Sequence, residues 1–431
     1  MNEPQRALPE DVPADGAPES VACADCGLGQ RLPPVPPGFL AECMRCGSAF
    51  ARPQRRGLDA PLALAAAALL LWLPACNATL LIVSASGAQR TATLTSGVTA
   101  LWLGGFPSLA LVVAAFSIVV PWSYLALLTY ILARIRFARL FERASRPRSL
   151  GRLYRWTRQL RPWMMMEVYL IGCCVAYSRI QKVAFVSVGT AGWCLFAATL
   201  LLLSAVAALD EHRIWQALPL AAAEHTNRSS SSRQPAAACR VCEYVSSLVR
   251  EGDRCPRCGA RLHARVPASL LRTTALVVCG FLLYIPANLL PVLAIERYGR
   301  EDPNTILGGV LELIQYGLWP LAAIVFTASI LIPLAKLFAL SGNLLLTRRR
   351  SARWLAPRTR LHRAIDAVGR WSNIDVFMVS VLAALVQFGA LTSVRVQDGM
   401  VAFAAVVIVT MAAAKSFDTR LMWDAAAGGA V

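Results

Sequence analysis

Long apolar runs alternate with short polar segments through most of the chain. The runs cover about 58–83, 98–133, 164–187, 190–209, 270–295, 306–346, 373–394 and 399–416. Each run is long enough to cross a hydrocarbon core of about 30 Å as a helix rising about 1.5 Å per residue. The pattern therefore predicts an α-helical polytopic membrane protein with eight spans, four in each half of the chain.

The second run of each half is longer than one span requires, at 36 and 41 residues. Pro107 and Pro320 lie inside these runs, and proline removes a helical hydrogen bond and clashes with the preceding turn. We expect each proline to divide its run into a re-entrant or interfacial piece and a true span.

The two halves repeat one another. Ser117-x3-Pro121 returns 212 residues later as Ser329-x3-Pro333, and Tyr124 stands where the second half has Lys336. At an offset of 208, Trp163-x3-Glu167 returns as Trp371-x3-Asp375. This agreement predicts a tandem duplication. Because four spans is an even number, both copies should have the same orientation.

The repeat and the polar segments define the expected domains. They are a disordered lead (1–20), a first cysteine module (21–50), a first transmembrane unit (58–209), a linker (210–238), a second cysteine module (239–265), a second transmembrane unit (270–424) and a tail (425–431).

Composition and charge agree with membrane insertion. The chain of 431 residues is 56% hydrophobic and 16% charged, with a mean hydropathy of +0.52. Because residues 1–20 are polar, acidic and rich in proline, we expect no cleavable signal peptide there. Segments 134–161 and 347–370 carry +16 of the net charge of +18, almost all of it as arginine. Positive segments between spans indicate the cytosolic side and attract anionic lipid, so we expect the N-terminus, both modules and the C-terminus in the cytosol and no nucleic-acid partner.

Eight of the 13 cysteines form four Cys-x-x-Cys pairs. The first module contains Cys23, Cys26, Cys43 and Cys46, and the second contains Cys239, Cys242, Cys255 and Cys258. Two such pairs supply four thiolates to one tetrahedral ion, the pattern of zinc ribbons and rubredoxin. Each module is too small to hold a core without metal. Two Zn²⁺ sites are expected; iron and a thiol redox role stay open, since the ligand set alone does not separate them.

Ionisable residues inside the apolar runs are the candidates for function, since a lysine at the bilayer centre costs about 2.5–3.5 kcal/mol on insertion scales. Lys336 lies in such a run, and Asp375 begins the next. We expect Asp375 to face inward and pair with Lys336, although an acid at a helix N-terminus is also favoured by the helix dipole alone. Ser329, Ser372 and Thr410 can extend this polar core or bond to their own helices.

The first copy offers secondary candidates. Glu167 is the counterpart of Asp375, while Arg179 and Lys182 fall late in the same apolar run. These two cations either snorkel outward or partner the bundle that contains Glu167. No Walker motif, glycine-rich phosphate loop or nucleophile elbow is present, so the chain is not expected to be an enzyme.

Four features together resemble the paraquat-inducible protein A family (PqiA and LetA) of Gram-negative inner membranes. They are the tetracysteine module before each unit, the Ser329-x3-Pro333-x2-Lys336 frame, the segment Trp371 to Phe377, and Ser416-Phe417-Asp418-x4-Trp423. The resemblance covers about 21–424. It implies an inner-membrane component of a lipid-transport system that exchanges phospholipid with a periplasmic MCE-domain tunnel protein. It also implies the eight cysteines as metal ligands and Lys336, Asp375, Ser329, Ser372 and Thr410 as the transport core.

Two other functions remain open from the sequence. Rubredoxin-like iron in the modules would make the chain a membrane redox protein, and an inert polar core would leave a passive assembly scaffold. The sequence leaves open lipid identity, transport direction, energy source, oligomeric state and the role of the first transmembrane unit.

Overall fold

The computed structural model describes residues 19–32, 35, 38–51, 57–85, 88–137, 149–181, 184–218, 236–247, 252–297, 300–386 and 392–428. The chain is mostly helical, and its two halves follow the same order of elements. Each half begins with a small module of short antiparallel strands. The first contains β1 (Glu19–Ala22), β2 (Gly29–Leu32), β3 (Ala41–Glu42) and β4 (Ala49–Ala51).

The first transmembrane unit follows its module. It contains α1 (Asp59–Asn77), β5 (Leu81–Ala85), β6 (Ala88–Ala92), α2 (Ser96–Leu103), α3 (Pro107–Ala114), α4 (Val120–Arg136), α5 (Leu150–Leu160), α6 (Met166–Ile180), β7 (Phe185–Val188), α7 (Thr190–Ala207) and α8 (Glu211–Ala217).

The second half repeats this order. It contains β8 (Ala236–Ala238), β9 (Val245–Ser247), α9 (Ser269–Leu289), β10 (Leu293–Arg297), β11 (Arg300–Asn304), α10 (Ile306–Gln315), α11 (Trp319–Phe326), α12 (Ile332–Arg348), α13 (Leu355–Val368), α14 (Ile374–Leu385), β12 (Thr392–Val396), α15 (Asp398–Ser416) and α16 (Arg420–Ala426).

Within the described ranges, seven helices or helix runs are long and apolar enough to cross a membrane. They span Asp59–Asn77, Pro107–Arg136, Thr190–Ala207, Ser269–Leu289, Trp319–Arg348, Leu355–Leu385 and Asp398–Ser416. The eighth expected span, 164–187, is not confirmed, because its helix α6 has only 15 residues. The apolar residues after it form strand β7, which pairs with β5, and they do not prolong the helix.

Both over-long runs are divided before their prolines, as the sequence predicts. Helix α3 begins at Pro107, and α11 begins at Trp319, one residue before Pro320. Gly105 (φ 89°) and Gly317 (φ 72°) provide the left-handed backbone conformation at the two breaks. The short helices α2 and α10 are thereby set off from the spans that follow them.

A π-helical turn lies at the same place in both copies, Ala115–Val119 and Thr327–Leu331. Pro121 and Pro333 follow these turns. A proline ring clashes with the carbonyl four residues earlier, and one extra residue in the turn relieves this clash. The repeated Ser-x3-Pro frame therefore marks a widened turn within each long span.

Two three-stranded antiparallel sheets lie at one end of the helices. Their orders, β6-β5-β7 and β11-β10-β12, are the same in the two copies. The sequence predicts only short polar segments between the apolar runs, and it does not predict these sheets. Helix α15 runs from β12 at this end to Phe417, which packs against the first cysteine module at the other end. We call the two ends the sheet side and the module side.

Helix α6 of the first copy packs against its counterpart α14 of the second copy, where the two units meet. Tyr169 of α6 meets Phe377 of α14 with ring centroids 5.3 Å apart, and these residues are counterparts in the repeat. Gly172 allows the approach, because a Cβ there would lie 3.1 Å from the Phe377 Cβ. Helix α14 is buried along almost its whole length. Its Asp375 therefore lies inside protein and not against lipid.

Candidate functional site

Each cysteine module gathers its four thiols into one buried cluster. The sulfur atoms of Cys23, Cys26, Cys43 and Cys46 lie within 4.8 Å of one another, as do those of Cys239, Cys242, Cys255 and Cys258. Neighbouring sulfurs across each cluster are 3.5 Å apart. Tetrahedral zinc with about 2.3 Å bonds places its sulfurs about 3.8 Å apart. The thiol clusters fit a single metal ion each.

The chain turns tightly after the second cysteine of every pair. Gly27, Gly47 and Gly259 have φ values of 73°, 66° and 67°, and Glu243 takes the same conformation at 58°. The turn returns the backbone so that the Gly27 N–H donates to the Cys23 carbonyl at 2.9 Å. Both sulfurs of a pair thus point into the same cluster. Glycine adopts this left-handed conformation without strain, whereas Glu243 is a non-glycine residue that adopts it.

In each cluster a thiolate, the form that binds metal, is stabilised by hydrogen bonds from neighbouring thiols, and the pKa values of Cys26 and Cys242 are raised in turn. A hydrogen bond from the Cys26 thiol lowers the pKa of Cys23 to about 5, against the opposing effect of burial. In the second cluster, a hydrogen bond from Cys242 lowers the pKa of Cys239 to about 7.

The first module is docked on the second transmembrane unit. Arg363 of α13 donates to the carbonyls of Gly47 at 3.2 Å and Cys46 at 3.3 Å, and it pairs with Asp25 at 3.7 Å. The Arg45 guanidinium lies 4.4 Å from the ring centroid of Trp423 in α16. Apolar side chains of α12 and Phe417 complete the contact around the four cysteines.

The second module is docked on the first transmembrane unit at equivalent positions. Arg158 of α5 donates to the Val241 carbonyl. Gly259 faces Arg152, just as Gly47 faces Arg360 in the other pair. Each metal cluster therefore supports the module side of the opposite unit, and Arg240 of the second module also donates to the Phe417 carbonyl of its own unit at 3.2 Å.

Lys336 lies deep in the second unit, with 1% of its surface exposed. Its Nζ donates to the Gly369 carbonyl at 3.0 Å and to the Thr410 Oγ1 at 3.5 Å. Thr410 is 12 residues from the sheet-side start of α15, which is about 18 Å along the helix. The ammonium is thus held by neutral oxygens, past the middle of the span toward the module side.

The prediction that Lys336 and Asp375 form an ion pair is wrong. Both residues lie in the described part of the chain, and no salt bridge joins them. Asp375 instead lies near Ser329 and lines a cavity together with Arg179 of the first copy. Ser329 precedes Lys336 by seven residues, about 10 Å along the helix, and Asp375 follows Gly369 by six. The two charges therefore lie at different heights along the helix axes. We call these heights the sheet-side level and the module-side level.

The remaining sequence candidates are placed as follows. Ser329, Ser372 and Thr410 are fully buried, and the hydroxyls of Ser329 and Ser372 have no hydrogen-bond partner in the described part of the chain. Glu167 is buried in the first turn of α6, as Asp375 is in α14. Arg179 reaches across to the second copy and does not snorkel outward. Lys182 lies outside the described residues.

Sequence reasoning missed two residues of the site. Gly369 provides both the acceptor for Lys336 and the space for its side chain, since a Cβ there would lie 2.6 Å from Nζ. Glu312 of α10 lines a cavity together with Arg179 and Asp375. An acid inside an otherwise apolar helix is a signal that could have singled out Glu312.

Comparison with known proteins decides the family. The sequence model of the paraquat-inducible protein A family matches residues 58–219 and 270–427, which are the two transmembrane units. The chain belongs to the paraquat-inducible protein A family. The resemblance to this family that the sequence motifs indicated is thereby confirmed. The two separate matches agree with the repeated order of elements.

Relatives of this family member cover nearly the whole chain. It is 32% identical to "Intermembrane transport protein PqiA" of Escherichia coli over 95% of this chain and 96% of that protein. It is 28% identical to "Lipophilic envelope-spanning tunnel protein A" of Escherichia coli over 98% and 95%. A "Probable intermembrane transport protein" of Haemophilus influenzae is 26% identical over 93% and 95%. No solved structure gives a significant match.

These findings support a multi-pass membrane protein with a transport role. The relatives bear the names of transport proteins and not of enzymes, which is consistent with a non-enzymatic function. The two tetracysteine clusters of this family member can each bind a metal ion.

Proposed function

We propose that this chain is the inner-membrane component of a phospholipid transport system, and that it exchanges lipid with a periplasmic MCE-domain tunnel protein. The observation that carries this proposal is the Lys336 ammonium, buried within a span and held by the oxygens of Gly369 and Thr410. A charge kept inside a membrane helix is costly, and such residues mark the paths of substrates and protons. The names of the relatives support transport between membranes.

The polar core of the second unit is the proposed site of coupling. Lys336 and Thr410 form its module-side level, and Asp375 and Ser329 form its sheet-side level, with Ser372 between them in the chain. A phosphate group or a proton that reaches these charges would change their interactions. The widened turn Thr327–Leu331 contains Ser329 of the sheet-side level and gives the helix a place to bend there.

The module side is proposed to face the cytosol. The arginine-rich segments 134–161 and 347–370 connect to helices that end on this side, and positive charge favours retention there. The two small sheets then face the periplasm, where the tunnel protein would meet the chain.

Zinc is proposed as the metal in both clusters, with a structural role. Four thiolates fill the tetrahedral coordination of the ion and leave no open position for a substrate. Metal analysis of the purified chain should give two equivalents of zinc and a colourless protein. A red protein with iron in both clusters would instead support the redox function.

Lipid transfer itself is the test of the proposed function. Donor vesicles containing the full chain and a labelled phospholipid are mixed with the periplasmic tunnel protein and acceptor vesicles. We expect transfer that requires both proteins. Transfer at the same rate without the chain would contradict the proposal.

A further inference from the structure

A polar cleft opens on the sheet side of the second unit, between the two copies. Its inner part, a cavity of about 20 Å³, is lined by Arg179 of α6, Glu312 of α10 and Asp375 of α14. Its outer part, about 320 Å³, is lined by Glu312 again and by Asp302 of β11. Glu312 and Asn304 line both parts, so the two adjoin each other. The outer volume is at the small end of the range for ligand pockets, about 300–1,000 Å³.

The charges of the cleft are not satisfied by one another. The Asp375 Oδ1 and the Arg179 Nε are buried without a hydrogen-bond partner among the described residues. Asp375 is 3% exposed and lines the inner cavity. Buried polar atoms in proteins are nearly always paired, and exceptions point to an absent partner. One guanidinium and three carboxylates therefore line the two parts, of which the inner part has room for a water-sized group and the outer part for a larger one.

Most of these charges are particular to this cleft. The counterparts of Glu312 and Asp302 in the first copy are Ala100 and Arg90, and the counterpart of Arg179 is Gln387. Only Asp375 has a charged counterpart of the same sign, Glu167, so the other three charges distinguish the cleft from the repeated fold.

The mouth of the cleft lies beside an apolar surface. Leu311 lines the outer part and is 52% exposed, and Leu307 and Ile314 on the same helix are 50% and 51% exposed. Such side chains on a short helix next to membrane spans fit the acyl region of a bilayer. A lipid could keep its chains against α10 while its headgroup enters the cleft.

We infer that the outer part of this cleft binds a zwitterionic phospholipid headgroup, with a primary ammonium on Glu312 and Asp302 and the phosphate at its inner end, on the side of Arg179. Guanidinium groups bind phosphate with two parallel hydrogen bonds, and carboxylates bind the ammonium. Phosphatidylethanolamine carries both groups, whereas phosphatidylglycerol lacks the cation and would meet two acids. The inference rests on the proposed function and names the headgroup class that it would take.

The position of Asp375 connects this cleft to the polar core. Asp375 and Arg179 line the same inner cavity, and Asp375 also lies near Ser329 of the polar core. A phosphate that draws the Arg179 guanidinium toward the outer part would change the electrostatic surroundings of Asp375. Binding of a headgroup in the cleft would then alter the interactions of Asp375 and Ser329 at the sheet-side level of the core.

The test measures which lipid the full chain retains. The purified protein is equilibrated in mixed micelles with equal amounts of phosphatidylethanolamine and phosphatidylglycerol, and bound lipid is quantified by mass spectrometry. We expect phosphatidylethanolamine to be preferred, and we expect Glu312→Gln to reduce that preference about fivefold. Arg179→Gln should weaken both lipids, and Arg179→Lys should restore part of the binding. Glu301→Gln is the control, because Glu301 is an exposed acid of the same sheet that pairs with Arg395 outside the cleft.

An equal retention of both lipids by the wild-type chain, or an unchanged preference in Glu312→Gln, would overturn the inference. Competition by free phosphoethanolamine distinguishes recognition of the headgroup alone from recognition of the whole lipid. Retention is measured without the tunnel protein, so the two proposals can fail separately. A chain without lipid preference could still transfer lipid, and a chain that does not transfer lipid could still show the preference.

Discussion

The carbonyl oxygen of Gly369 accepts a hydrogen bond of 3.0 Å from the Lys336 ammonium, and the same glycine leaves the space in which that side chain lies. A Cβ at position 369 would lie 2.5 Å from the Lys336 Cε. The short 3₁₀ segment Gly369–Asn373 therefore fixes the position of the ammonium through both an acceptor and the lack of a side chain.

Gly369→Ala should displace Lys336 and reduce lipid transfer severalfold. The φ of Gly369 is −57°, so alanine fits the backbone and the effect comes from the contact with the lysine alone. Overpacking of a buried site costs about 1–3 kcal/mol, which should also lower the melting temperature. Gly342→Ala in α12 is the control, because no atom lies within 4 Å of a Cβ there. If both variants transfer lipid at the wild-type rate, the role given to Gly369 fails.

The docking of each module on the opposite unit predicts where the loss of one metal cluster is felt. Cys43→Ser in the first module should increase hydrogen exchange in α13 and α16 of the second unit, because Arg363 and Trp423 lose their partners there. Cys255→Ser in the second module should instead loosen α5 and α8 of the first unit. Exchange mass spectrometry of both variants measures this directly, and each serves as the control for the other. Loosening confined to the unit that follows each module in sequence would contradict this docking.

Asp418 should give the C-terminal end of the second unit a stability that depends on acid pH. Its buried carboxylate accepts hydrogen bonds from the Arg420 side chain at 2.8 and 3.0 Å and from the Val266 N–H at 3.1 Å. Burial raises the pKa of Asp418, but the Arg420 hydrogen bonds and charge outweigh it and hold the pKa below 3.8. A carboxylate with a lowered pKa contributes stability that is fully present above its unfolded pKa of about 3.9 and is lost as pH falls through the folded value.

Asp418→Asn should accordingly destabilise the chain by about 3 kcal/mol at pH 7, because Arg420 is left buried without its charge partner. Thermal unfolding at a series of pH values measures this. The wild-type chain should lose more stability than the variant below about pH 4. Parallel pH profiles for the two proteins would show that the pair does not contribute as described.

Much of this arrangement follows from the sequence, because it depends on local patterns. The apolar runs locate the long helices, Pro107 and Pro320 locate the breaks, and the Cys-x-x-Cys spacing locates the two clusters. The burial of Lys336 and Asp375 also follows from their places in apolar runs.

The rest depends on which elements pack together, and a periodic pattern does not encode this. Lys336 and Asp375 are both buried, but helix register separates them, so Gly369 and Arg179 are their neighbours instead. A duplicated sequence does not show whether each module docks on its own unit or on the opposite unit. The eighth span is short because part of its apolar run forms β7, and apolar residues suit a strand as well as a helix.

Lipid transfer by a Lys336→Met protein tests the central claim most directly, since methionine keeps much of the length of the side chain and removes its charge. We expect a folded protein whose transfer falls to the level of vesicles without the chain, while Lys336→Arg retains part of the activity. Tyr124→Phe, at the counterpart position of the first copy, should transfer lipid as the wild type does. A folded Lys336→Met protein with wild-type transfer would contradict the account.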